Sequence, residues 1–170
     1  MRTTTERYGL MAIDPGLNSM GWAYWQSNPS DNPPHRVGLI KAPRKLELAP
    51  RALWVAHELE RQMSKLGRMG GGISQYETDF VSEFPAWHGI QLGWAAGDLQ
   101  RLVFLVGVLA GYFKDAHSFT PVTPGEWKGQ LPKSVVTRRL IKRFGSGATQ
   151  DWEKDVWDAV GIGLWKMGKF

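Results

Sequence analysis

The sequence contains no cysteine and no long hydrophobic run. The absence of cysteine excludes disulfide bonds, thiolate metal sites and cysteine nucleophiles. The longest apolar run, residues 102–113, is too short to cross a bilayer. Residues 1–6 also lack the apolar run of a signal peptide. We therefore expect a soluble protein of the cytoplasm.

Acidic residues are fewer than basic ones: 16 Asp and Glu stand against 21 Lys and Arg, a formal net charge of +5. A basic surface attracts polyanions, so the balance favours a nucleic-acid partner, although a merely basic soluble domain would show it too. Tryptophan is abundant, with nine residues, which suit a core, an interface or base stacking equally well. The length of 170 residues fits one domain spanning residues 1–170.

The hydrophobic pattern predicts five strands and four helices. Short apolar runs that end at turn residues indicate the strands, and apolar residues at three- and four-residue spacing indicate the helices. The predicted strands cover residues 8–13, 21–25, 35–41, 78–84 and 118–122, and the predicted helices cover residues 50–66, 98–114, 132–144 and 150–166. This order predicts an α/β fold in which a five-stranded mixed sheet, beginning with an antiparallel meander, is flanked by helices.

Four acidic residues occupy positions where packing alone does not explain an acid. Asp14 and Glu83 lie at the ends of the first and fourth predicted strands. Asp155 and Asp158 lie one turn apart on the last helix, where residues three apart share a face. If the first and fourth strands are neighbours, the last helix can bring its two carboxylates across the two strand ends.

Each acid also has an ordinary explanation. Asp-Pro-Gly at residues 14–16 is a common turn, Glu83 can mark a strand leaving the core, and a helical Asp usually faces solvent. Carboxylates gathered in one place repel each other, however, and a hard cation such as Mg²⁺, which prefers oxygen ligands, relieves that repulsion. We therefore predict a shared metal site. Two ions in such a site can clamp the attacking and leaving oxygens of a phosphoryl displacement.

Three segments resemble the motifs of the RuvC family of Holliday-junction resolvases. Residues 13–21, IDPGLNSMG, are similar to the family's opening I-D-P-G-x-x-x-x-G. Residues 82–84, SEF, resemble the end of its fourth strand, which carries a catalytic Glu, and residues 155–159, DVWDA, are similar to its closing D-x-x-D-A. One motif alone is weak, since D-x-G-x-x-x-x-G also occurs in actin-like kinases. Together they cover nearly the whole chain, in the family's order and spacing.

The resemblance implies an RNase H-like fold and a homodimer that resolves four-way DNA junctions by two symmetric nicks. It implies that Mg²⁺ or Mn²⁺, as two ions in each site, is bound by Asp14, Glu83, Asp155 and Asp158. Metal-activated water would attack the scissile phosphate and leave a 5′-phosphate and a 3′-hydroxyl. The source would be a bacterium, or a phage that infects one.

The helix predicted over residues 98–114 is apolar on nearly every side. Such a helix must be covered all round, so in a domain of this size we expect one side to contact a second subunit. The resemblance implies the same, because this segment corresponds to the family's dimer helix. Gly107 and Gly111, four residues apart, would allow close approach of two helices, with tight packing on the domain's own sheet as the alternative.

Basic residues crowd one segment that holds no acid after Glu126. They are Lys128, Lys133, Arg138, Arg139, Lys142 and Arg143. On the helix predicted over residues 132–144, four of them form like-charged pairs at four-residue spacing, which favours a polyanionic partner. We predict contacts with DNA phosphates, with a solvated basic face as the alternative. Lys128 and Lys133 resemble basic residues near the family's active site, and we expect Lys133 to take part in catalysis by stabilising charge on the phosphate.

The family also commonly places an aromatic residue on a loop after its catalytic Glu, where it probes bases at the junction centre. Phe84, Trp87 and His88 are the candidates in this chain, and a core position is the alternative for Trp87. Pro85 and the short stretch after it depart from the family pattern, so the sequence preference of cleavage is not predicted.

Two alternative functions fit the same residues. Another RNase H-like nuclease, which cuts flaps or RNA–DNA hybrids, would use the same four acids. A non-catalytic junction-binding protein would keep the basic segment, although the intact set of acids argues against it. An actin-like kinase would need a second lobe, for which the chain has no room, and exonucleases of the DEDD type normally begin with Asp-x-Glu.

Overall fold

The computed structural model describes residues 9–26, 32–67, 75–85 and 96–170. The strands are β1 (Gly9–Asp14), β2 (Ser19–Trp25), β3 (Arg36–Lys41), β4 (Thr78–Glu83) and β5 (Ser118–Val122). The helices are α1 (Leu48–Gly67), α2 (Ala96–Tyr112), α3 (Pro124–Trp127), α4 (Lys133–Phe144), α5 (Ser146–Thr149) and α6 (Lys154–Lys166), and a 3₁₀ turn, Gln75–Glu77, leads into β4. All five predicted strands and all four predicted helices are present.

The strands form one mixed sheet in the order β3-β2-β1-β4-β5. β1, β2 and β3 make the predicted antiparallel meander, in which Asp14 faces Gly21 across the β1–β2 pair. β4 runs parallel to β1, with Ile13 paired to Ser82, and β5 runs parallel to β4. Because parallel neighbours end at the same edge of a sheet, the carboxyl ends of β1 and β4 lie side by side.

Helices cover both faces of the sheet, because successive residues of a strand point to opposite sides. In β1, Met11 and Ile13 pack with residues of α1 and α2, whereas Leu10 and Ala12 pack with residues of α4 and α6. All four side chains are fully buried. The central strand is therefore an unbroken apolar run, as expected for a strand between two helical layers.

Several helix boundaries differ from the prediction, and α2 runs from Ala96 to Tyr112 instead of over residues 98–114. α6 begins at Lys154 rather than at residue 150, because the N–H of Trp152 donates to the carbonyl of Thr149, at 3.1 Å, and closes a separate turn. α1 begins at Leu48, two residues before Pro50, which a first helical turn tolerates because its N–H groups have no partner within the helix. The four-residue helices α3 and α5 were not predicted, since they are too short to show an apolar period.

Helix α2 is covered on one side and open on the other. Leu102, Leu105 and Leu109 are buried against the core, whereas Val103 and Phe104 keep 40% and 41% of their surface exposed. Among the described residues, nothing buries this side of α2. Its predicted contact with a second subunit stays a prediction. Among those residues, no helix has the length and apolar character that crossing a membrane requires.

Candidate active site

Asp14 and Glu83 are the last residues of two adjacent parallel strands, β1 and β4. Burial raises the pKa of the Asp14 carboxyl well above its ordinary value, and the negative charges of Glu83, Asp158 and Asp155 raise it further, while Lys133 opposes them. All three other predicted acids thus lie within electrostatic reach of Asp14. The structure brings together the four acidic side chains that the sequence singled out.

A glycine in β2 lets α6 approach the strand ends. A Cβ atom added at Gly21 would lie 2.1 Å from the carbonyl oxygen of Asp155, a separation that no real side chain tolerates. Gly21 faces Asp14 across the β1–β2 pair, so the first turn of α6 rests beside the end of β1. The hydroxyl of Ser19 donates a hydrogen bond to the Asp155 carboxylate and holds this side chain at the site.

Asp158 lies one turn further along α6 and is 5% exposed. Its Oδ2 accepts a hydrogen bond from the Lys133 ammonium at the start of α4, in a charge-assisted ion pair. Its Oδ1 is buried and has no hydrogen-bond partner among the described residues. A buried carboxylate oxygen without a partner is costly, so a cation or a donor is needed at this position.

Glu83 is held by two different groups. The indole N–H of Trp127 donates to its Oε2 at 2.8 Å, and the Lys128 ammonium lies 4.0 Å from the same oxygen. Burial raises the pKa of Glu83, against the lowering effects of the Trp127 hydrogen bond and the Lys128 charge. Both lysines expected near the active site therefore lie against its carboxylates, Lys128 at Glu83 and Lys133 at Asp158.

The donor set suits a hard divalent cation, because the acids offer only oxygen ligands and their charges oppose one another around Asp14. The Oδ1 of Asp158, which has no hydrogen-bond partner among the described residues, is a further oxygen that a cation would satisfy. Within residues 9–26, 32–67, 75–85 and 96–170, however, no three acidic or histidine side chains are grouped so that they hold an ion as they stand. Ser19, Trp127 and Lys133 each hydrogen-bond to one oxygen of a carboxylate and leave its second oxygen as a possible ligand. Metal binding by these acids stays a prediction.

We predict that Asp14→Asn stabilises the metal-free protein at neutral pH. The raised pKa means that the ionised carboxylate opposes folding above the folded-state pKa, and that this penalty disappears as the pH falls towards the ordinary value of 3.8. The variant should melt a few degrees higher than the wild type at pH 7.5, at about 2–4 °C per kcal/mol of relieved repulsion. The difference should narrow on acidification to pH 5.

Metal titration provides the second half of this test. Added Mn²⁺ should raise the melting temperature of the wild type and have little effect on Asp14→Asn, because at a given concentration a ligand stabilises the folded state more when it binds that state more tightly. Both melting curves are measured by calorimetry with and without chelator. If Asp14→Asn is less stable than the wild type at neutral pH, the ionised Asp14 carboxylate does not destabilise the folded protein.

Helix α4 presents a basic surface next to the acids, since Lys133 is its first residue. Val136 and Leu140 are buried, and the opposite side of the helix carries four exposed cationic residues: Arg138, Arg139, Lys142 and Arg143. One of these, Arg143, also donates to the carbonyl of Lys169 at 2.9 Å. The predicted division of this helix into an apolar and a basic side is confirmed, whereas DNA contact stays a prediction.

The structure does not test the predicted base-probing role of Phe84, Trp87 and His88, and His88 lies outside the described residues. Phe84 is partly buried, and its backbone N–H donates to the carbonyl of Val122 at 2.7 Å, which continues the β4–β5 pairing. Trp87 lies outside the described residues, so its predicted role is untested.

Sequence analysis missed two residues that hold the acids, Ser19 and Trp127. Ser19 lies inside the opening motif, but nothing local to it indicates a bond to a residue far along the chain. For Trp127 there was a local signal: Thr123 followed by Glu126 is the pattern of a capping box, which marks the start of a helical turn. That turn places the tryptophan at the end of β4.

Comparison with known proteins agrees with this fold. No protein-family model matches the chain, and no curated protein matches it in sequence. Among solved structures, RuvC of Thermus thermophilus in complex with a Holliday junction substrate is 15% identical, with a TM-score of 0.60 over 93% of this chain and 92% of that one. A second Thermus thermophilus RuvC structure is 12% identical, with a TM-score of 0.64 over 95% and 97%.

A viral protein has the same fold. The Fowlpox virus resolvase in complex with Holliday junction DNA is 12% identical, with a TM-score of 0.54 over 95% of this chain and 99% of that one. Identities this low are evidence for the fold alone. The predicted α/β class is confirmed, and this chain has the RNase H-like fold of the two RuvC structures and the viral resolvase.

Proposed function

We propose that this protein is a metal-dependent endonuclease that resolves four-way DNA junctions by paired symmetric nicks. The observation that carries the proposal is the convergence of four acids at the carboxyl ends of β1 and β4. Two further facts support it: the structural neighbours include resolvases bound to Holliday junction DNA, and a basic helix adjoins the acids.

The proposed ligands of Mg²⁺ or Mn²⁺, as two ions in each site, are Asp14, Glu83, Asp155 and Asp158. When bound, the metal would supply charge for the scissile phosphate and an activated water. Ser19 orients one of these carboxylates, and Trp127 orients another. Their bonds reduce the motion of the side chains before substrate arrives.

Lys128 and Lys133 have a second role in this proposal. Each ammonium group lies against an acid of the site, so a phosphate that reaches the acids also meets both lysines. An ammonium held at this position stabilises negative charge that grows on phosphate oxygens as the bond to the leaving group breaks. Before substrate binds, the same two lysines offset part of the repulsion among the carboxylates.

We also propose a homodimer formed through the exposed side of α2. A Cβ atom added at Gly107 or Gly111 would meet no atom of the described residues within 4 Å, so among these residues this side of the helix is open to close approach. Val103 and Phe104 supply exposed apolar surface next to it. Two copies joined in this way would carry two active sites, as paired nicks require.

We predict that Phe104→Glu converts the dimer to a monomer, because a charge would then be buried in an apolar contact. The matched control is Ile141→Glu on α4, since Ile141 is 39% exposed against 41% for Phe104. Sedimentation velocity should show half the mass for Phe104→Glu and an unchanged mass for the control. A monomeric wild type, or a dimeric Phe104→Glu, would contradict the proposed interface.

A cleavage panel tests the function itself. Four-way junction, flap, linear duplex and RNA–DNA hybrid are incubated with the protein, with metal omitted, restored as Mg²⁺ or restored as Mn²⁺. The proposal expects metal-dependent cutting of the junction at symmetric positions, with products that ligate. Preference for flap or hybrid would indicate another RNase H-like nuclease, and binding without any cutting would indicate a non-catalytic junction-binding protein.

A further inference from the structure

We propose that Trp127 is a positioning residue for the acidic site, whose indole N–H holds the Glu83 carboxylate in its metal-binding orientation. The inference rests on the proposed function for the identity of the reaction. The contact that carries it is the 2.8 Å hydrogen bond from Nε1 of Trp127 to Oε2 of Glu83.

The hydrogen bond engages only one of the two Glu83 oxygens. The Lys128 ammonium lies 4.0 Å from that same Oε2, and among the described residues Oε1 has no such partner. A carboxylate anchored through one oxygen loses rotational freedom, while its other oxygen stays available as a ligand. Anchoring of this kind orients the groups that bind a metal ion.

Trp127 is itself held rigidly. Its side chain is 2% exposed, and the turn that carries it is closed by a capping box. In that box the backbone N–H of Thr123 donates to Oε2 of Glu126 at 2.7 Å, and the backbone N–H of Glu126 donates to Oγ1 of Thr123 at 3.3 Å. The turn directly follows β5, so the indole is attached to the sheet next to the end of β4.

The other side of the Trp127 ring rests on the helix that carries two of the acids. A Cβ atom added at Gly161 of α6 would lie 2.6 Å from Cζ3 of Trp127, so only glycine allows the ring this close to the helix. Phe170 contacts the ring edge-on, with centroids 5.5 Å apart. Trp127 thus touches Glu83 through its N–H and α6 through its ring, and it links the strand-end acids to the helical ones.

A tryptophan that only filled the core would not need this contact. A buried indole N–H needs a hydrogen-bond acceptor, and a backbone carbonyl usually suffices. Trp157, which lies on α6, shows that arrangement: its indole donates to the carbonyl of Trp152 at 2.9 Å. Trp127 instead donates to a carboxylate of the candidate active site, and a bond to an ionised carboxylate is stronger than a bond to a neutral carbonyl.

The test compares Trp127→Phe with Trp157→Phe. Both variants keep an aromatic ring and lose an indole donor, but only the first loses a donor to a site carboxylate. Binding of Mn²⁺ is followed by isothermal titration calorimetry, which does not depend on activity. The Mn²⁺ concentration for half-maximal binding, the Mn²⁺ midpoint, should increase by about 10- to 100-fold in Trp127→Phe, the size found for partners of metal ligands, and stay at the wild-type value in Trp157→Phe.

Cleavage kinetics provide a second readout. In Trp127→Phe, the cleavage rate at saturating junction should fall by about tenfold or more, while the dissociation constant for the junction in chelator stays within about twofold. In a Glu83→Gln background, Trp127→Phe should cause no further change in the Mn²⁺ midpoint, because the two residues act through one contact. Gly161→Ala, which displaces the ring without removing it, should also raise the midpoint and replaces Trp127→Phe if that variant does not fold.

Each outcome supports or overturns the inference. A folded Trp127→Phe with the wild-type Mn²⁺ midpoint shows that the residue is structural only, as does an equal shift in Trp157→Phe. A wild type that binds Mn²⁺ but cuts no branched DNA overturns the proposed function, while the midpoint comparison still decides the role of Trp127. A wild type without any Mn²⁺ response overturns both.

Discussion

Asp158→Asn should abolish junction cleavage while junction binding survives, and Asp14→Asn should do the same. Each change removes one negative charge with almost no change in shape. Asp158 is buried and bonded to Lys133, and its Oδ1 has no hydrogen-bond partner among the described residues. Because the carboxylate is buried, solvent would not compensate for the loss of its negative charge. We expect the cleavage rate to fall by about 10³-fold or more, as when a directly acting polar group is lost from an enzyme.

The measurement is single-turnover cleavage of a labelled junction in Mg²⁺ and in Mn²⁺, beside a gel-shift titration in chelator. Asp151→Asn is the matched control, because Asp151 is an exposed acid just before α6 and should be replaceable without effect. Circular dichroism confirms that each variant is folded. If Asp14→Asn or Asp158→Asn cuts at the wild-type rate, the acidic cluster is not the active site.

Charge reversal of Arg138 and Arg139 should weaken junction binding and flatten its dependence on salt. Both side chains are exposed on α4, whose first residue, Lys133, is bonded to Asp158. DNA that reaches the acids would therefore pass along this helix. Each phosphate contact contributes about 0.9 to the slope of log affinity against log salt, so loss of two contacts should make the slope shallower by about 1.8.

The control reverses an equal number of charges elsewhere. Lys65→Glu with Lys114→Glu changes the net charge by the same amount. Lys65 is exposed in the last turn of α1 and Lys114 is exposed two residues after the end of α2, and these two helices cover the other face of the sheet. Fluorescence anisotropy between 50 and 300 mM salt gives affinity and slope for the wild type and both variants. Equal losses in the two variants would mean that net charge, rather than the α4 surface, attracts the DNA.

Much of the fold followed from local patterns. The mostly apolar run over residues 8–13 indicated a buried strand, and the spacing of Ala52, Val55 and Leu59 indicated the side of α1 that is buried in the structure. The same method missed α3 and placed the start of α6 four residues too early. Helix starts depend on single hydrogen bonds, such as the one from Trp152 to Thr149, and an apolar period does not encode them.

Candidate acids could be named from the sequence because motif and position are properties of the chain itself. Their neighbours could not, since the contacts that hold them join residues far apart: Ser19 and Asp155 are 136 positions apart, Glu83 and Trp127 are 44 apart, and Lys133 and Asp158 are 25 apart. No local pattern links such pairs. These residues become neighbours only when the strands pair and α6 packs against Gly21.

The sequence by itself determined the chemistry available to this protein. It supplies carboxylate ligands but no thiolates, one helix with a basic side, and one helix that is apolar on nearly every side. Only the tertiary structure decided which acids lie close enough to interact electrostatically, which lysines and which tryptophan bond to them, and which side of α2 stays exposed. The physical reason is that residue type and period act within a few residues of the chain. Burial and electrostatic coupling arise only after distant segments pack against each other.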